Sequence, residues 1–287
     1  MPKAQIGVIG GSGLYEMDGL TEIEEVRMKT PFGEPSDAII IGNLEGRRVA
    51  FLPRHGKGHR ISPTELPVRA NIYALKSLGV ERIISVSAVG SLKDDVHPLD
   101  LVIPDQLIDR TKNRVNTFFG NGLVAHVGFA EPFCPVLSHI LYEKASNTGA
   151  TVHNEGTYIV MEGPLFSTRA ESLLYRSWGA SIIGMTASPE AKLAREAEIC
   201  YATLACVTDY DCWHETCEIV TIDMVVENLK RNTEIAKKIL KMVVTQIPEK
   251  RECQCATALK DAIITSPELI PAKRKEELDL LIGRYIK

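Results

Sequence analysis

Short apolar runs rich in β-branched residues recur along the chain, at residues 6–9, 38–41, 49–52, 82–86, 101–103, 157–161, 181–183 and 201–207. Runs of this length and type predict buried β-strands. Between several of them lie stretches with apolar residues at helical spacing. Residues 66–78 end at Gly79, 135–146 run into Gly149 and 168–178 end at Gly179, and glycine suits a helix end. Residues 189–198 follow Ser188, a suitable N-cap, with Pro189 in the first helical position. Residues 221–244 form a long amphipathic helix pattern, and a last helix is expected within 267–282. Strands alternating with helices predict an α/β core, a largely parallel sheet with helices outside. There is no internal repeat, and no linker before residue 247. The segment "IPEKRECQCATALK" reads as a polar loop or tail, so residues 1–287 are expected to form a single domain with a C-terminal extension from about residue 247.

Composition narrows the function classes. The 287 residues are 45% hydrophobic, enough for a sizeable core. A net charge of -4 argues against a nucleic-acid partner, which would show a basic balance or patch. No long apolar span is present, and "MPKAQIGVIGG" lacks the pattern of a signal peptide, so a soluble cytoplasmic protein without a membrane partner is the expectation. Cys134, Cys200, Cys206, Cys212 and Cys217 are scattered, while Cys253 and Cys255 form a Cys-Gln-Cys pair. There is no paired CxxC set and no histidine pair at zinc spacing, so neither a structural zinc site nor any other metal site is expected. Reduced thiols suit a cytosolic mesophile; disulfides become reasonable in a hyperthermophile.

Candidate chemistry sits where the predicted strands end. "VIGGSGLYE" places a glycine cluster after a strand, a turn whose N–H groups can cradle an anion. It is not a dinucleotide fingerprint, since Glu16 stands where a small residue is needed, and it lacks the Gly-Lys-Ser/Thr of a P-loop. "LPRHGKGHR" follows a strand with Arg54, a rigid fork for phosphate oxygens, and His55, a further donor. "SVSAVGSL" offers Ser87 and the backbone around Ala88 as another anion cradle. In "YIVMEGPLFSTRAE", Phe166 can stack on a planar ligand, although a core aromatic is the plainer reading. "IIGMTASPEA" sets Met185 and Thr186 between a strand and a capped helix. In "VTDYDCW", Asp209 and Asp211 are two apart and share one side of an extended chain, as capping groups or as a proton donor and its partner.

These stretches, with "TPFGEPSD", "PDQLIDRT" and "EPFCP", occur in one order over about residues 5–245. That ordered set resembles the 5'-methylthioadenosine phosphorylases of the trimeric purine nucleoside phosphorylase superfamily, most of all the archaeal members, which share "IIGMT" and a C-terminal Cys-x-Cys. The resemblance implies a single α/β domain around a mixed, partly barrel-like sheet flanked by helices. It implies phosphorolysis of methylthioadenosine to adenine and 5-methylthioribose 1-phosphate, a step of purine and methionine salvage. No metal or organic cofactor is implied, and inorganic phosphate is the co-substrate. Ser12, Arg54, His55, Ser87, Ala88 and Thr186 match the phosphate side. Asp209 matches the purine-binding aspartate and Asp211 the second base-side carboxylate; Met185 is expected near the ribose and Phe166 beside the purine. Ile222, Val225 and Val226 match the apolar pocket for the methylthio group. His126 matches a residue that reaches into a neighbouring subunit's site, in a homotrimer or a hexamer.

Two departures stand out against the same pattern. Leu165 replaces the arginine that many members carry in this motif, which bears on local geometry. Gly184 stands where animal members have asparagine, as in archaeal members, and leaves acceptance of adenosine or inosine open. By the same resemblance, Cys253 with Cys255, Cys134 with Cys206, and Cys200 with a partner outside the core are candidate disulfides. A broader purine nucleoside phosphorylase acting on adenosine, inosine or guanosine is the alternative, although Asp209 favours 6-aminopurines. A hydrolytic nucleosidase would differ by its independence of phosphate. A nucleoside-binding protein without turnover is disfavoured by the intact phosphate-side set, and a nicotinamide-dependent dehydrogenase by the missing glycine fingerprint.

Overall fold

The computed structural model describes residues 3–11, 14, 17–214 and 222–286, with side chains from residue 227 onward in the last stretch. Eleven strands share one sheet. They are β1 (Ile6–Gly10), β2 (Thr21–Val26), β3 (Ile39–Leu44), β4 (Arg47–Pro53), β5 (Arg82–Ser91), β6 (Leu101–Ile103), β7 (Gln106–Asp109), β8 (Val152–Asn154), β9 (Thr157–Val160), β10 (Ile182–Gly184) and β11 (Cys200–Tyr210). The helices are α1 (Val68–Ser77), α2 (Pro135–Ser146), α3 (Arg169–Ser177), α4 (Ala187–Glu196), α5 (Ile222–Gln246) and α6 (Ala272–Ile282).

The strands read as continuous apolar runs because both faces of the sheet are covered. Side chains alternate between the two faces along each strand. Ile9, Ile41, Leu52, Ile83 and Tyr201 enter one core, with residues of α1 and α4. Ile6, Val8, Phe51, Ile84 and Leu204 enter the other, with Leu137 and Leu141 of α2 and Ile239, Leu240 and Val243 of α5.

The sheet is mixed rather than largely parallel. β1 lies parallel between β4 and β5, and β11 runs parallel to β5 along its length. β2 with β3, β3 with β4, β10 with β5 and β6 with β11 are antiparallel. Two partners share one edge of β5: its first half pairs with β1, and Gly90 and Ser91 pair with β10. The long strand thus curls the sheet toward a partial barrel, as the resemblance implied. The carboxyl ends of β1, β4, β5 and β11 all point the same way, toward the end of the sheet where α/β folds bind ligands.

Three strands and one boundary differ from the sequence reading. β2, β7 and β8 carry no apolar run: β2 is almost wholly exposed, and the other two are short and part-exposed. Ser188 has the extended backbone of a cap but lies inside α4, at a kink, and its hydroxyl donates to Asp109 Oδ2 at 2.7 Å instead of capping. The segment after residue 247 is not a loose tail. Leu259, Ile270, Leu278, Leu281 and Ile282 are buried in the first core, and the Arg274 guanidinium donates to the Phe118 carbonyl at 2.7 Å. Among the described residues no helix is long and apolar enough to cross a membrane.

Candidate active site

At the carboxyl end of those strands lies a cavity of about 330 Å³. That volume sits within the range of small-molecule sites. Gly11 after β1, Arg54 and His55 after β4, Ser87–Gly90 of β5 and Thr208–Asp211 around the end of β11 all line it or flank its wall. Met161 after β9, Gly184 at the end of β10 with Met185 and Thr186 after it, and Leu229, Asn232 and Thr233 of α5 also line it.

One end is polar and hydroxyl-rich. Ser87 Oγ and Thr186 Oγ1 lie 3.0 Å apart, brought together by the β5–β10 pairing. His55 is buried; its Nδ1 donates to the Ile61 carbonyl at 2.8 Å, and its ring stacks on His59 with centroids 4.2 Å apart. Burial, with the Arg54 charge adding, pushes the His55 imidazole down to about 4. It is therefore neutral at physiological pH, with Nε2 as an acceptor.

Arg54 lines the cavity, but its fork is already engaged. Nε donates to Glu190 Oε1 at 2.6 Å, in an ion pair whose side chains are each 2% exposed. Nη2 donates to Ser85 Oγ at 2.6 Å and Nη1 to the Val86 carbonyl at 2.9 Å. The Tyr201 hydroxyl donates to Glu190 Oε2 at 2.9 Å. A buried guanidinium without such a partner would be costly. The pair ties β4, β5, α4 and β11 into one wall, and Arg54 acts there as a frame as much as an anion ligand.

The other end holds the two aspartates. Between Val207 and Asp209 the register of β11 against β5 shifts by one residue, so Thr208 is bulged. A bulge re-aims the side chains that follow it. Thr208 Oγ1 donates to Asp209 Oδ1 at 2.6 Å. Burial pushes the Asp209 carboxyl up to about 6 even against that bond, with the nearby Asp211 charge adding to the rise. Asp211 is also raised by burial, and its Oδ2 is a buried oxygen without a partner among the described residues. Met185 and Phe166 line the cavity, and Phe166 is 64% exposed.

Gly184 has a steric reason to be glycine: a Cβ there would lie 2.3 Å from the Tyr158 hydroxyl oxygen. Tyr158 is fully buried, and burial pushes its phenol up to about 12. Leu165, at the departure from the family motif, is 82% exposed and does not line the cavity. Ser12 and the side chains of Ile222, Val225 and Val226 lie outside the described residues. His126 is exposed and not brought to the cavity of its own chain; its backbone N–H donates to the Ala262 carbonyl at 2.9 Å.

Several residues escaped the sequence reading. Glu190 stood inside "IIGMTASPEA" with no local sign of its distant partner. Arg114 is another: its guanidinium donates to the Met185 carbonyl at 2.5 Å, the Ser188 carbonyl at 2.8 Å and the Glu162 carbonyl. It stitches the strand ends of β9 and β10 behind the cavity. Asn228 Nδ2 donates to the Thr208 carbonyl at 2.7 Å and Asn232 Nδ2 to the Val207 carbonyl at 3.0 Å, so α5 clamps the bulge. Their four-residue spacing on an amphipathic helix was the available signal.

The cysteines do not follow the expected pairings. No disulfide forms among the described residues. Cys134 is not paired with Cys206, which lines the substrate cavity instead. Cys134, Cys200, Cys253 and Cys255 come together, with their sulfurs all within 4.8 Å of one another. The fold gathers from three separate segments four thiols that the sequence sets far apart.

A family model of the phosphorylase superfamily matches residues 5–245. The chain is 60% identical over 282 residues to the S-methyl-5'-thioadenosine phosphorylase of Geobacter sulfurreducens, a match covering 98% of this chain and 99% of the relative. A crystal structure of methylthioadenosine phosphorylase from an antarctic soil metagenomic library superposes with a TM-score of 0.94 at 53% identity, over 98% of this chain and 99% of that one. A mutant of the adenosine/methylthioadenosine phosphorylase of Schistosoma mansoni in complex with methylthioadenosine superposes with a TM-score of 0.78 at 38% identity, over 87% of this chain and 93% of that one.

Proposed function

The chain belongs to the phosphorylase superfamily, and from that premise we infer that its cavity carries out the phosphorolysis of 5'-methylthioadenosine, giving adenine and 5-methylthioribose 1-phosphate. The observation that carries this reading is the pairing of a hydroxyl-lined polar end with a buried aspartate of raised pKa in one cavity. Phosphate is placed at the polar end, held by Ser87, Thr186, the backbone at Ala88 and Gly11 and the neighbouring Ser12. His55 Nε2 accepts from the protonated oxygen of hydrogen phosphate, and Arg54 offers the second N–H of Nη1, which no bond among the described residues uses. In the reaction the C1'–N9 bond breaks as a phosphate oxygen closes on C1'. Phosphate stabilises the oxocarbenium-like centre and then captures it.

The leaving adenine needs its developing negative charge neutralised. Asp209, protonated in part because its carboxyl is raised to about 6, donates to N7; ionised, it accepts from the 6-amino group. Asp211, whose buried Oδ2 has no partner among the described residues, faces the same base. Met185 packs against the ribose and Phe166 flanks the purine. Leu229 of α5 lines the cavity, and the apolar Ile222, Val225 and Val226 precede it on the same helix. This supports an apolar end for the methylthio group.

The site is completed by a neighbouring subunit that supplies His126, in a homotrimer or a hexamer of cytoplasmic enzyme. Leu165 and Phe166, with Leu173 and Leu174 of α3 and Trp178 at its end, leave large apolar side chains exposed, as an interface would require. The test is release of free base from methylthioadenosine, adenosine and inosine, each with and without phosphate. Phosphate-dependent adenine release, best from the methylthio substrate, is expected. Faster cleavage of inosine would move the enzyme to the broad purine phosphorylases, and base release without phosphate would make it a nucleosidase.

A further inference from the structure

The four clustered cysteines have no part in the reaction above. Cys134 is the N-cap of α2, Cys200 opens β11, and Cys253 and Cys255 bracket the start of a short helical turn at Gln254–Thr257 in the C-terminal extension. Three are buried and Cys253 is half-buried. The cluster lies at the amino end of β11, so at about 3.3 Å per residue it is about 30 Å from Asp209.

The sulfur spacing discriminates between two fates. A disulfide holds its sulfurs about 2.05 Å apart. Cys200 Sγ and Cys253 Sγ lie 3.3 Å apart, and all four sulfurs fall within 4.8 Å of one another. A tetrahedral zinc with Zn–S bonds of about 2.3 Å requires sulfurs about 3.8 Å apart. The surroundings suit the charge of such a site. Four thiolates on a dication leave a net negative group, and Cys134 stands at the positive end of the α2 dipole. Arg82 and Arg251 line the same crevice as Cys134, Cys200 and Cys253. Arg82 also donates to the Pro248 carbonyl at 2.6 Å and Arg251 to the Glu198 carbonyl at 2.6 Å, so the segment leading to Cys253 is already fixed.

We propose that Cys134, Cys200, Cys253 and Cys255 bind one zinc ion as a closed structural site that fastens the C-terminal extension to the sheet. Four thiols lose four protons to solvent as the metal binds, and no electron is transferred. With all four positions filled by protein, the metal offers no place for substrate or water. The gain is topological. The site joins α2, β11 and a segment more than 50 residues further along, so it holds in place the layer that carries Leu259, Leu278 and Leu281 into the core.

Metal analysis of enzyme purified with a reductant and without added metal tests this directly. About one zinc per chain is expected. It should be lost in the Cys253→Ser/Cys255→Ser variant and kept in Cys212→Ser, a thiol outside the cluster. Should the double variant fail to fold, cobalt exchange into the native chain gives the same answer: an intense thiolate-to-cobalt charge-transfer band with tetrahedral visible absorption. Removing the metal with a strong chelator should lower the melting temperature of the native chain. Absence of stoichiometric zinc both as purified and after anaerobic loading with zinc chloride overturns the proposal. So does peptide mapping that finds disulfides within the set in protein kept anaerobic.

Discussion

Replacing Asp209 with asparagine should make the protein more stable and less active at the same time. In the folded chain the carboxyl is raised from 3.8 to about 6, first by burial and then by Asp211. Between those two values the folded state holds a proton that the unfolded chain has released. Stability therefore falls as pH rises through that window, and the penalty is complete above about pH 6 and absent below about pH 4. At about 1.4 kcal/mol for each tenfold change in the proton equilibrium, the full displacement corresponds to about 3 kcal/mol. The cavity admits water, so about 1–2 kcal/mol is the expected effect. Asparagine is neutral throughout, and its Oδ1 still accepts from Thr208, so the local geometry survives.

The assay is urea unfolding of substrate-free D209N and native protein at pH about 7.5 and about 4.5. With m near 3 kcal/mol/M, the D209N midpoint should lie about 0.5 M higher at the upper pH, and that difference should shrink to about a third at the lower. Phosphorolysis should meanwhile drop by about 10²–10⁴ in kcat/KM, the usual contribution of a positioned proton donor. A midpoint at or below the native one at the upper pH, or a difference that does not shrink on acidification, refutes the claim that burial of this carboxylate opposes folding.

Gly184→Ala drives a Cβ into the buried Tyr158 hydroxyl and should cost about 1–3 kcal/mol, read as a lowered melting temperature; an unchanged melting temperature would refute the steric argument. Glu190→Gln leaves the Arg54 guanidinium buried without its countercharge and should destabilise the fold by about 3–5 kcal/mol in urea unfolding. Arg114→Ala frees the carbonyls of Met185 and Ser188 and should lower kcat/KM for methylthioadenosine by at least about tenfold, as a small misplacement of positioning groups does. The His55 imidazole, held down to about 4, stays neutral across neutral pH, so His55→Gln should weaken phosphate binding without moving the acidic limb of the pH–rate profile near pH 6.

The strands that form the middle of the sheet were legible because burial on both faces leaves an uninterrupted apolar run. β2, almost wholly exposed, and the short β7 and β8 left no such run and were found only through their partners. Asp209 and Asp211 could be placed on one side of a strand from their spacing. That a bulge at Thr208 precedes them depends on pairing with β5, far away in sequence.

What the sequence determined by itself was the helices and the buried strands, the side-chain types at their ends and, through the order of its motifs, the family. Local periodicity and turn chemistry act over a few residues, so they can be read in one dimension. The tertiary structure alone decided which charges meet. Glu190 occupies the Arg54 fork because α4 packs against β11 and β5, and Arg114 seals carbonyls some 70 residues away. Four cysteines from three segments became one cluster for the same reason. Such meetings are set by the packing of helices on a curled sheet, and nothing near each residue in the chain records its partner.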